Sequence, residues 1–330
     1  MMDAETISFP KERLATKAVT VIGLGALGST VTLHLARLGV GSLRLIDRDI
    51  VEVSNLQRQS LYTEQDANEE TPKALAALKR LKKINPRVHL SAHVEDVNPG
   101  SIERLVEDCH LIIDATDNMA TRFLINDVSY KRNIPWIHGG VIASRGTVAA
   151  FIPGETPCYR CLFHEPVEQH GQTCDTIGVL GPLVHVVASL QTVLACQILT
   201  GQKPLMARSL LYLDVWQHDV EQLPRVQNPH CPCCQKQRFE FLDQHQEEQL
   251  FTQLCGRNSV QIMPKQPRPI SFEQWLPHWK KLGPLTQTPF YLKLEYDRYQ
   301  LILFKDGRLM INGLSDTETA KKLYAQLVGT

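Results

Sequence analysis

The 330-residue sequence lacks an excess of charge of either sign, since 35 lysines and arginines balance 35 aspartates and glutamates. No basic tract stands out, which argues against nucleic acid as the main partner. A long uninterrupted apolar run is also missing, because the most hydrophobic segment, 178–200, contains Pro182, His185 and several other polar residues. This segment is predicted to be a buried or subunit-interface helix and not a membrane span. Residues 1–17 lack the apolar core of a signal peptide, so we expect a soluble, cytoplasmic protein.

Disulfide bonds are not expected, because the nine cysteines are odd in number and clustered, which in a reducing compartment points to metal and thiol chemistry. Two C-x-x-C pairs, Cys158 with Cys161 and Cys231 with Cys234, offer the four thiolates of a closed structural zinc site. Cys233 could replace a neighbour geometrically, although the C-x-x-C spacing favours Cys231 and Cys234. A redox-active pair is the competing interpretation. About seventy residues separate the pairs, so zinc would join distant segments of the chain.

A glycine-rich turn follows the first apolar strand-like run, 18–22, and leads into a helical pattern. Its glycines are Gly23, Gly25 and Gly28. A second apolar run, 43–46, ends in Asp47, and this succession is typical of a dinucleotide-binding fold. The first glycine would permit a tight turn, the second a close approach to phosphate, and the third close helix–strand packing, while Asp47 would accept the ribose hydroxyls. The alternative is a tight turn that binds nothing.

Polar residues after Asp47 favour a nucleoside triphosphate over a nicotinamide cofactor. The amide of Asn55 can orient a triphosphate, and the guanidinium of Arg58 can bind its oxygens with two hydrogen bonds. Lys73 opens a predicted helix over 71–84, where a cation is unfavourable beside the helix dipole unless an anion is present. A solvated surface lysine is the alternative interpretation.

A second acid follows a predicted buried strand, 111–113. Because the carboxyl ends of parallel strands meet at one edge of a sheet, Asp117 is expected in the same crevice as the glycine-rich turn. A triphosphate there needs a divalent ion, and a carboxylate is the natural protein ligand for Mg²⁺. Alternatively, Asp117 caps the following helix, and both roles are compatible. Arg122 and Asn126, one turn apart on that helix, are weaker candidates for site contacts.

Cys174 lies in a polar loop before the apolar helix. An exposed loop cysteine near a helix start can act as a nucleophile, and an incidental loop cysteine is the alternative. The cysteines assigned to packing are Cys109, Cys196 and Cys255.

The predicted fold is α/β, with a Rossmann-like, doubly wound and mostly parallel sheet that becomes mixed or antiparallel near 141–152. A small α+β domain is predicted at the end of the chain, with a hairpin turn at Asp306-Gly307 and a capping box, Ser315-x-x-Glu318, before the last helix. The predicted divisions are a leader over 1–16, a domain with the nucleotide and zinc sites over 17–235, a linker with short helices over 236–288, and the small domain over 289–330.

The run after the glycine-rich turn reads D-x-D-x-V-E-x-S-N-L-x-R-Q, and with G-x-G-x-x-G it resembles the ThiF/MoeB/HesA family over about residues 17–235. These bacterial relatives of ubiquitin-activating enzymes adenylate the C-terminal glycine of a ubiquitin-like sulfur-carrier protein. The resemblance implies ATP phosphates bound by Lys73, Mg²⁺ bound by Asp117 of a T-D-N motif, and Zn²⁺ bound by the C-Y-R-C and C-P-x-C motifs. The expected nucleotide-binding residues are Gly23, Gly25, Gly28, Asp47, Asn55, Arg58, Lys73, Asp117 and Asn118.

The family's crossover loop, here about 162–178, passes over the carrier's tail. Its cysteine, here Cys174, aligns with one that forms an acyl-disulfide link to the carrier in thiazole biosynthesis. The expected catalytic residues are Arg58, Lys73, Asp117 and Cys174. Family members also pair as homodimers, in which an arginine before the first strand reaches the neighbouring subunit's nucleotide, and Arg13 is the only arginine there.

The expected function is ATP-dependent adenylation of a carrier ending in Gly-Gly, with the ThiS carrier of thiamine (thiazole) biosynthesis favoured by Cys174 and the run 179–182. A MoaD-type carrier of molybdenum cofactor biosynthesis is the alternative. A cysteine desulfurase or a rhodanese would supply the sulfur. Two rivals come from other classes: an NAD(P)-dependent oxidoreductase, which has no role for Arg58, Lys73 or Asp117, and a non-catalytic scaffold, which has no need to keep all three.

Overall fold

Residues 11–163, 177–202, 208–243, 250–253, 259–263 and 270–328 are described by the computed structural model. By their internal contacts they form two units, a large one up to residue 243 and a small one from residue 250. Each unit has its own sheet and its own apolar core. Cys174 and most of the predicted crossover loop lie outside the described residues.

The large unit is built on an eight-stranded sheet. Its strands are β1 Ala18–Ile22, β2 Ser42–Ile46, β3 His89–His93, β4 Leu111–Asp114, β5 Trp136–Ile142, β6 Arg145–Phe151, β7 Ser209–Asp214 and β8 Asp219–Pro224. The order across the sheet is β3-β2-β1-β4-β5-β6-β7-β8. Strands β1 to β5 pair in parallel, and those from β5 to β8 pair antiparallel. The predicted Rossmann-like sheet that changes from parallel to antiparallel is confirmed.

Helices cover both faces of the parallel half. They are α1 Lys11–Leu14, α2 Ala26–Leu38, α3 Glu64–Asn68, α4 Lys73–Ile84, α5 Ile102–Leu105, α6 Met119–Arg132, α7 Tyr159–Leu162 and α8 Gly181–Leu199, with a 3-10 turn at Val53–Asn55. Alternation along β4 separates the two faces. Leu111 and Ile113 join the core formed with α2, α4 and α8, whereas Ile112 joins the core formed with α5 and α6. The sheet is thus doubly wound, as predicted.

Helix α8 is long and apolar enough to cross a membrane by length and composition alone. Ten of its nineteen residues are nevertheless buried, and it packs against α2, β5 and β6. Val186 and Val193, one and three turns into the helix, are exposed. The burial is that of a core helix, as predicted from its polar interruptions.

In its described residues, the small unit consists of a six-stranded antiparallel sheet and two helices. Its elements are β9 Leu250–Gln253, β10 Ser259–Met263, α9 Phe272–Trp279, β11 Leu285–Gln287, β12 Tyr291–Tyr296, β13 Tyr299–Phe304, β14 Leu309–Asn312 and α10 Thr317–Leu327. The strand order is β11-β12-β13-β14-β10-β9. Side chains from α9 and α10, among them Trp279 and Leu323, form one core with the inner residues of the sheet.

Two details of the small unit differ from the sequence predictions. Strands β9 to β11 and helix α9 lie within 236–288, so the range predicted as a linker contributes strands to the sheet and the unit begins well before residue 289. Helix α10 is capped by Asp316 and not by Ser315, because the Asp316 carboxylate accepts hydrogen bonds from the N–H groups of Glu318 and Thr319. A carboxylate is the stronger acceptor and also favours the helix N-terminus electrostatically.

Candidate active site and cysteine cluster

The glycine-rich turn joins β1 to α2. Neighbouring backbone atoms leave no space for a side chain at two of its glycines, and the third has free space beside it. Gly23 has a φ of +86°, and a Cβ there would lie 2.7 Å from the carbonyl oxygen of Ala115. A Cβ at Gly28 would lie 1.9 Å from the carbonyl oxygen of Gly23, so turn and helix pack only without side chains at both positions. A Cβ at Gly25 would have only Gln59 Nε2 nearby, at 3.9 Å. Gly25 is therefore where a ligand can approach the backbone.

Helix α2 begins at this turn without a side-chain cap. Gly25 is its N-cap residue, and its first turn contains no acid. The first amides of a helix have no partner within the helix, and the helix dipole favours an anion beside them. The turn thus has the arrangement that binds phosphate groups in nucleotide sites.

Asp47, directly after β2, is hydrogen-bonded to the glycine-rich turn. Its Oδ2 accepts from the N–H of Leu24 and its Oδ1 accepts from the N–H of Asp49, both at 2.7 Å. Burial raises the pKa of the Asp47 carboxyl, although the nearby ammonium of Lys73 opposes the shift. The sequence predicts a ribose contact for this carboxylate, and the structure gives it a second role in holding the turn.

Asn55, in the 3-10 turn, orients Arg58. Its Oδ1 accepts from Arg58 Nη2 at 3.1 Å and from Gln59 Nε2 at 2.9 Å, and its Nδ2 donates to Glu52 Oε2 at 3.2 Å. The residue is only 4% exposed. The amide that is predicted to contact a triphosphate is therefore already engaged by protein side chains, and Arg58 is the group that it positions.

Arg58 also lines a cavity of about 290 Å³. The cavity lies between residues 56–60 and the first turn of α8, where Gly181, Pro182 and His185 complete its wall. This opening places the guanidinium of Arg58 within reach of a ligand that enters beside α8.

Lys73 is buried at the N-terminus of α4, with only 4% of its surface exposed. Its backbone N–H donates to the carbonyl of Asp49 at 2.8 Å, and its Nζ lies 3.3 Å from Asp49 Oδ2. Pro72, and not Thr71, occupies the N-cap position, because the Pro72 carbonyl accepts the first hydrogen bond of the helix, from the N–H of Ala76 at 3.0 Å. The burial excludes the interpretation of Lys73 as a solvated surface lysine, and Asp49 supplies an anion beside it.

Asp117, in the loop after β4, has an exposed carboxylate. Asn118, and not Asp117, caps α6, since its Oδ1 accepts from the N–H of Thr121 at 2.8 Å. Among the residues that the structure describes, no hydrogen bond or ion pair engages the Asp117 carboxylate. The chemistry of this oxygen ligand fits Mg²⁺, whereas the side-chain carbonyl of Asn118 is taken by its cap.

A buried ionic network next to Asp117 was not identified from the sequence. Asp114, the last residue of β4, is fully buried and accepts from Arg122 Nε at 3.2 Å and from His138 Nδ1 at 2.9 Å. Its other oxygen accepts from the N–H and the hydroxyl of Thr116. Burial alone would raise the pKa of Asp114, but Arg122 and His138 reverse the shift and hold it below its usual range. The signals in the sequence are an acid that ends an apolar strand and Arg122 on the helix that follows.

The four cysteines of the two C-x-x-C pairs lie together. The Sγ atoms of Cys158, Cys161, Cys231 and Cys234 all lie within 4.8 Å of one another. The shortest Sγ–Sγ distances, 3.5 Å, join Cys158 to Cys231 and Cys161 to Cys234. A tetrahedral site with Zn–S bonds of ~2.3 Å has sulfur–sulfur edges of about 3.8 Å. The cluster thus fits a closed four-thiolate zinc site that links the segment at α7 to the segment after β8.

Cys233 is not a member of this cluster. Its Sγ accepts from Asn126 Nδ2 at 3.2 Å, and Asn126 Oδ1 in turn accepts from the N–H of Tyr159 at 2.9 Å. The structure therefore selects Cys231 and Cys234 over Cys233. It also places Asn126, a weak candidate for the nucleotide site, beside the cysteines instead.

Arg13 is bound within its own chain. Its Nη1 donates to the carbonyl of Thr200, the C-cap residue of α8, at 2.9 Å. A cation at a helix C-terminus is favoured by the helix dipole. A contact from Arg13 to the nucleotide of a second subunit stays a prediction.

With this geometry in place, comparison with known proteins identifies the family. The sequence profile of the ThiF family matches residues 4–233. The chain belongs to the ThiF family. The sulfur carrier protein ThiS adenylyltransferase of Bacillus subtilis (strain 168) is 36% identical over 322 residues, 97% of this chain and 95% of that protein. The molybdopterin-synthase adenylyltransferase of Escherichia coli (strain K12) is 34% identical over 227 residues, 68% of this chain and 89% of that protein.

Solved structures show the same fold. The crystal structure of E. coli MccB with ATP superimposes on this ThiF-family chain with a TM-score of 0.60 and 22% identity, covering 68% of each chain. The family profile and the named relatives confirm the family and the class of enzyme predicted from the motif after the glycine-rich turn.

His138 gives this ThiF-family chain an expected pH dependence. Burial lowers the pKa of His138, Arg122 acts in the same direction, and the hydrogen bond to Asp114 opposes both. The unfolded chain thus takes up a proton at His138 at a higher pH, below about 6.5, than the folded protein does. The contribution of His138 to the free energy of unfolding is therefore fully present above that pH. It falls as the pH decreases, by up to about 1.4 kcal/mol per pH unit for one proton.

Urea unfolding at pH 7.5 and 5.5 measures this effect. His138→Gln should show a smaller fall in the free energy of unfolding than the wild type, because glutamine does not titrate. An equal fall in both proteins would contradict the assignment.

Proposed function

We propose that the protein uses ATP to adenylate the C-terminal glycine of a ubiquitin-like sulfur-carrier protein, and that this carrier is of the ThiS type. The observation that supports it most is the set of groups at the carboxyl ends of β1, β2 and β4. These are an open phosphate-binding turn at Gly25, a buried lysine paired with an acid at Lys73, and an exposed carboxylate at Asp117. A hydride-transferring enzyme has no use for the last two.

In this proposal ATP lies against the glycine-rich turn, with its ribose at Asp47. Arg58 and Lys73 bind the phosphate oxygens, and the Asp117 carboxylate holds Mg²⁺, which neutralises phosphate charge when bound. The carrier's terminal carboxylate attacks the α-phosphorus, a P–O bond forms, and the bond to the β-phosphate breaks to release pyrophosphate. Such chemistry depends on positioning and charge neutralisation more than on a general base.

The cavity beside Arg58 is the entrance that we assign to the carrier's tail. Its walls at 56–60 and at the start of α8 are close together, because a Cβ at Gly181 on one wall would lie 3.5 Å from the carbonyl oxygen of Gln57 on the other. A tail of two glycines has no side chains to accommodate and suits such a narrow opening. Cys174 would act after adenylation, when sulfur from a cysteine desulfurase or a rhodanese displaces AMP.

A ThiS-type carrier is favoured by the relative that matches this chain over almost its whole length. The match to the ThiS adenylyltransferase of B. subtilis covers 97% of the chain, including the small unit, whereas the match to the molybdopterin-synthase adenylyltransferase covers 68%. We further propose a homodimer in the cytoplasm, with Zn²⁺ as a structural ion in the cysteine cluster.

ATP–pyrophosphate exchange with purified carriers tests the proposal. We expect exchange with a ThiS-type carrier ending in Gly-Gly and none with the same carrier lacking its last glycine. Exchange with a MoaD-type carrier alone would assign the protein to molybdenum cofactor biosynthesis. ATP binding without exchange by any carrier would favour the non-catalytic scaffold. Tight NAD binding without exchange would favour the oxidoreductase.

A further inference from the structure

We infer that Arg122 is a positioning residue for the metal-binding carboxylate of Asp117 and acts through Asp114 and Thr116. The inference rests on the proposed function, because it takes Asp117 as the Mg²⁺ ligand beside ATP. It assigns a role to a buried network that none of the binding steps above uses.

The guanidinium of Arg122 joins three pieces of the chain near Asp117. Its Nε donates to Asp114 Oδ2 at 3.2 Å, and its Nη2 donates to the carbonyl of Thr116 at 2.7 Å and to that of Gly139 at 3.4 Å. The planar group therefore binds the end of β4, the residue directly before Asp117, and strand β5. Lysine carries the same charge but not this fixed fork of donors.

The backbone on both sides of Asp117 is held as well. The N–H of Ala115 donates to the carbonyl of Ile22, and Asp114 Oδ1 accepts from the N–H and the hydroxyl of Thr116 at 2.9 and 2.7 Å. On the other side, Asn118 caps α6. Only the Asp117 side chain is left exposed between these fixed points, so its carboxylate is presented from a rigid loop.

The hydrogen-bond network around Asp114 also extends away from the Asp117 carboxylate. His138 Nε2 lies 3.1 Å from Thr147 Oγ1 on β6, and Gln191 Nε2 on α8 donates to the carbonyl of Asp114 at 2.8 Å. The loop before Asp117 is thus anchored to α6, β5, β6 and α8 at once. Groups that orient a metal ligand in this way usually change metal affinity by about 10- to 100-fold when they are removed.

Binding of ATP measured by isothermal titration calorimetry, with Mg²⁺ and with EDTA, tests the inference. The readout is the Kd in EDTA divided by the Kd with Mg²⁺. This ratio reports how much Mg²⁺ strengthens ATP binding. We expect Arg122→Lys to lower this ratio about tenfold, with the Kd in EDTA unchanged. In an Asp117→Asn background, Arg122→Lys should have no further effect, because the residue through which it acts is gone.

Arg44→Lys is the matched control. Arg44 also donates to two carbonyls, those of Leu105 and Glu107, but contacts no part of the Asp117 loop, so its ratio should equal that of the wild type. Thr116→Val removes only the hydroxyl bond to Asp114 and serves as a second variant if Arg122→Lys does not fold. It should lower the ratio in the same direction.

If Arg122→Lys weakened ATP binding equally with and without Mg²⁺, or weakened it further in the Asp117→Asn background, the inference would be overturned. The proposed function would not be affected. Wild-type protein that binds no ATP would overturn the proposed function together with the inference.

Discussion

Asp117→Asn should reduce ATP–pyrophosphate exchange by about 100- to 1,000-fold, because a metal-bound triphosphate depends on its carboxylate ligand for several kcal/mol of charge stabilisation. Asparagine keeps the size and one oxygen of aspartate but not the negative charge. Since the Asp117 carboxylate is exposed and Asn118 caps α6 in its place, the substitution removes no cap. We therefore expect the loss of exchange without a loss of folding, measured by thermal unfolding of the same samples.

Asp219→Asn is a suitable control, because Asp219 is another exposed acid of the large unit, at the start of the edge strand β8. It should exchange at the wild-type rate. ATP binding in EDTA should survive in Asp117→Asn, which separates a defect in the metal ligand from a defect in the nucleotide pocket. Exchange by Asp117→Asn at the wild-type rate would contradict the assignment.

The parts of this site that could be predicted are those in which short-range sequence determines the geometry. Gly23 and Gly28 are required by the backbone itself, because any side chain there would overlap a neighbouring carbonyl. The two cysteine pairs were equally clear, since C-x-x-C places two sulfurs on one turn. The mostly parallel, doubly wound sheet could likewise be predicted from the alternation of strands and helices.

The network around Asp114 could not be predicted for the opposite reason. Its members come from β4, α6 and β5, and Asp114 lies 24 residues from His138. Nothing in the local sequence shows that these side chains meet, or that Asp114 is fully buried while Asp117, three residues later, is exposed. The role of Asn55 could not be predicted either. Its hydrogen bonds to Arg58 and Gln59 depend on the 3-10 turn, which brings these side chains together.

The small unit was predicted only in its second half. Residues 291–312 show clear alternation and a hairpin turn, and they form β12 to β14. Strands β9 and β10 are short. β10 is stabilised by pairing with β14, which is distant in sequence, and β9 pairs with β10. Their polar, proline-rich surroundings are typical of a linker, so tertiary pairing overrode the local pattern.

Cys231→Ser should abolish zinc binding and the cooperative unfolding of the large unit. Structural zinc sites contribute about 10–16 kcal/mol to folding in small zinc-binding peptides, which is comparable with the whole stability of about 5–15 kcal/mol of a typical domain. In this chain the ion would join α7 to the segment after β8, across some seventy residues. Loss of the ion would remove the bonds that join these two segments of the chain.

Cys233→Ser provides the matched control, because Cys233 and Cys231 are both fully buried and two residues apart. Cys233 Sγ accepts from Asn126 and lies outside the four-sulfur cluster, so a serine there should keep one zinc ion per chain and lower the melting temperature only slightly. Zinc content by mass spectrometry and thermal unfolding with and without a chelator measure both effects. Full zinc content in Cys231→Ser, or its loss in Cys233→Ser, would show that the ligand set is wrong. The expected pattern would show that the four clustered cysteines hold a structural zinc ion.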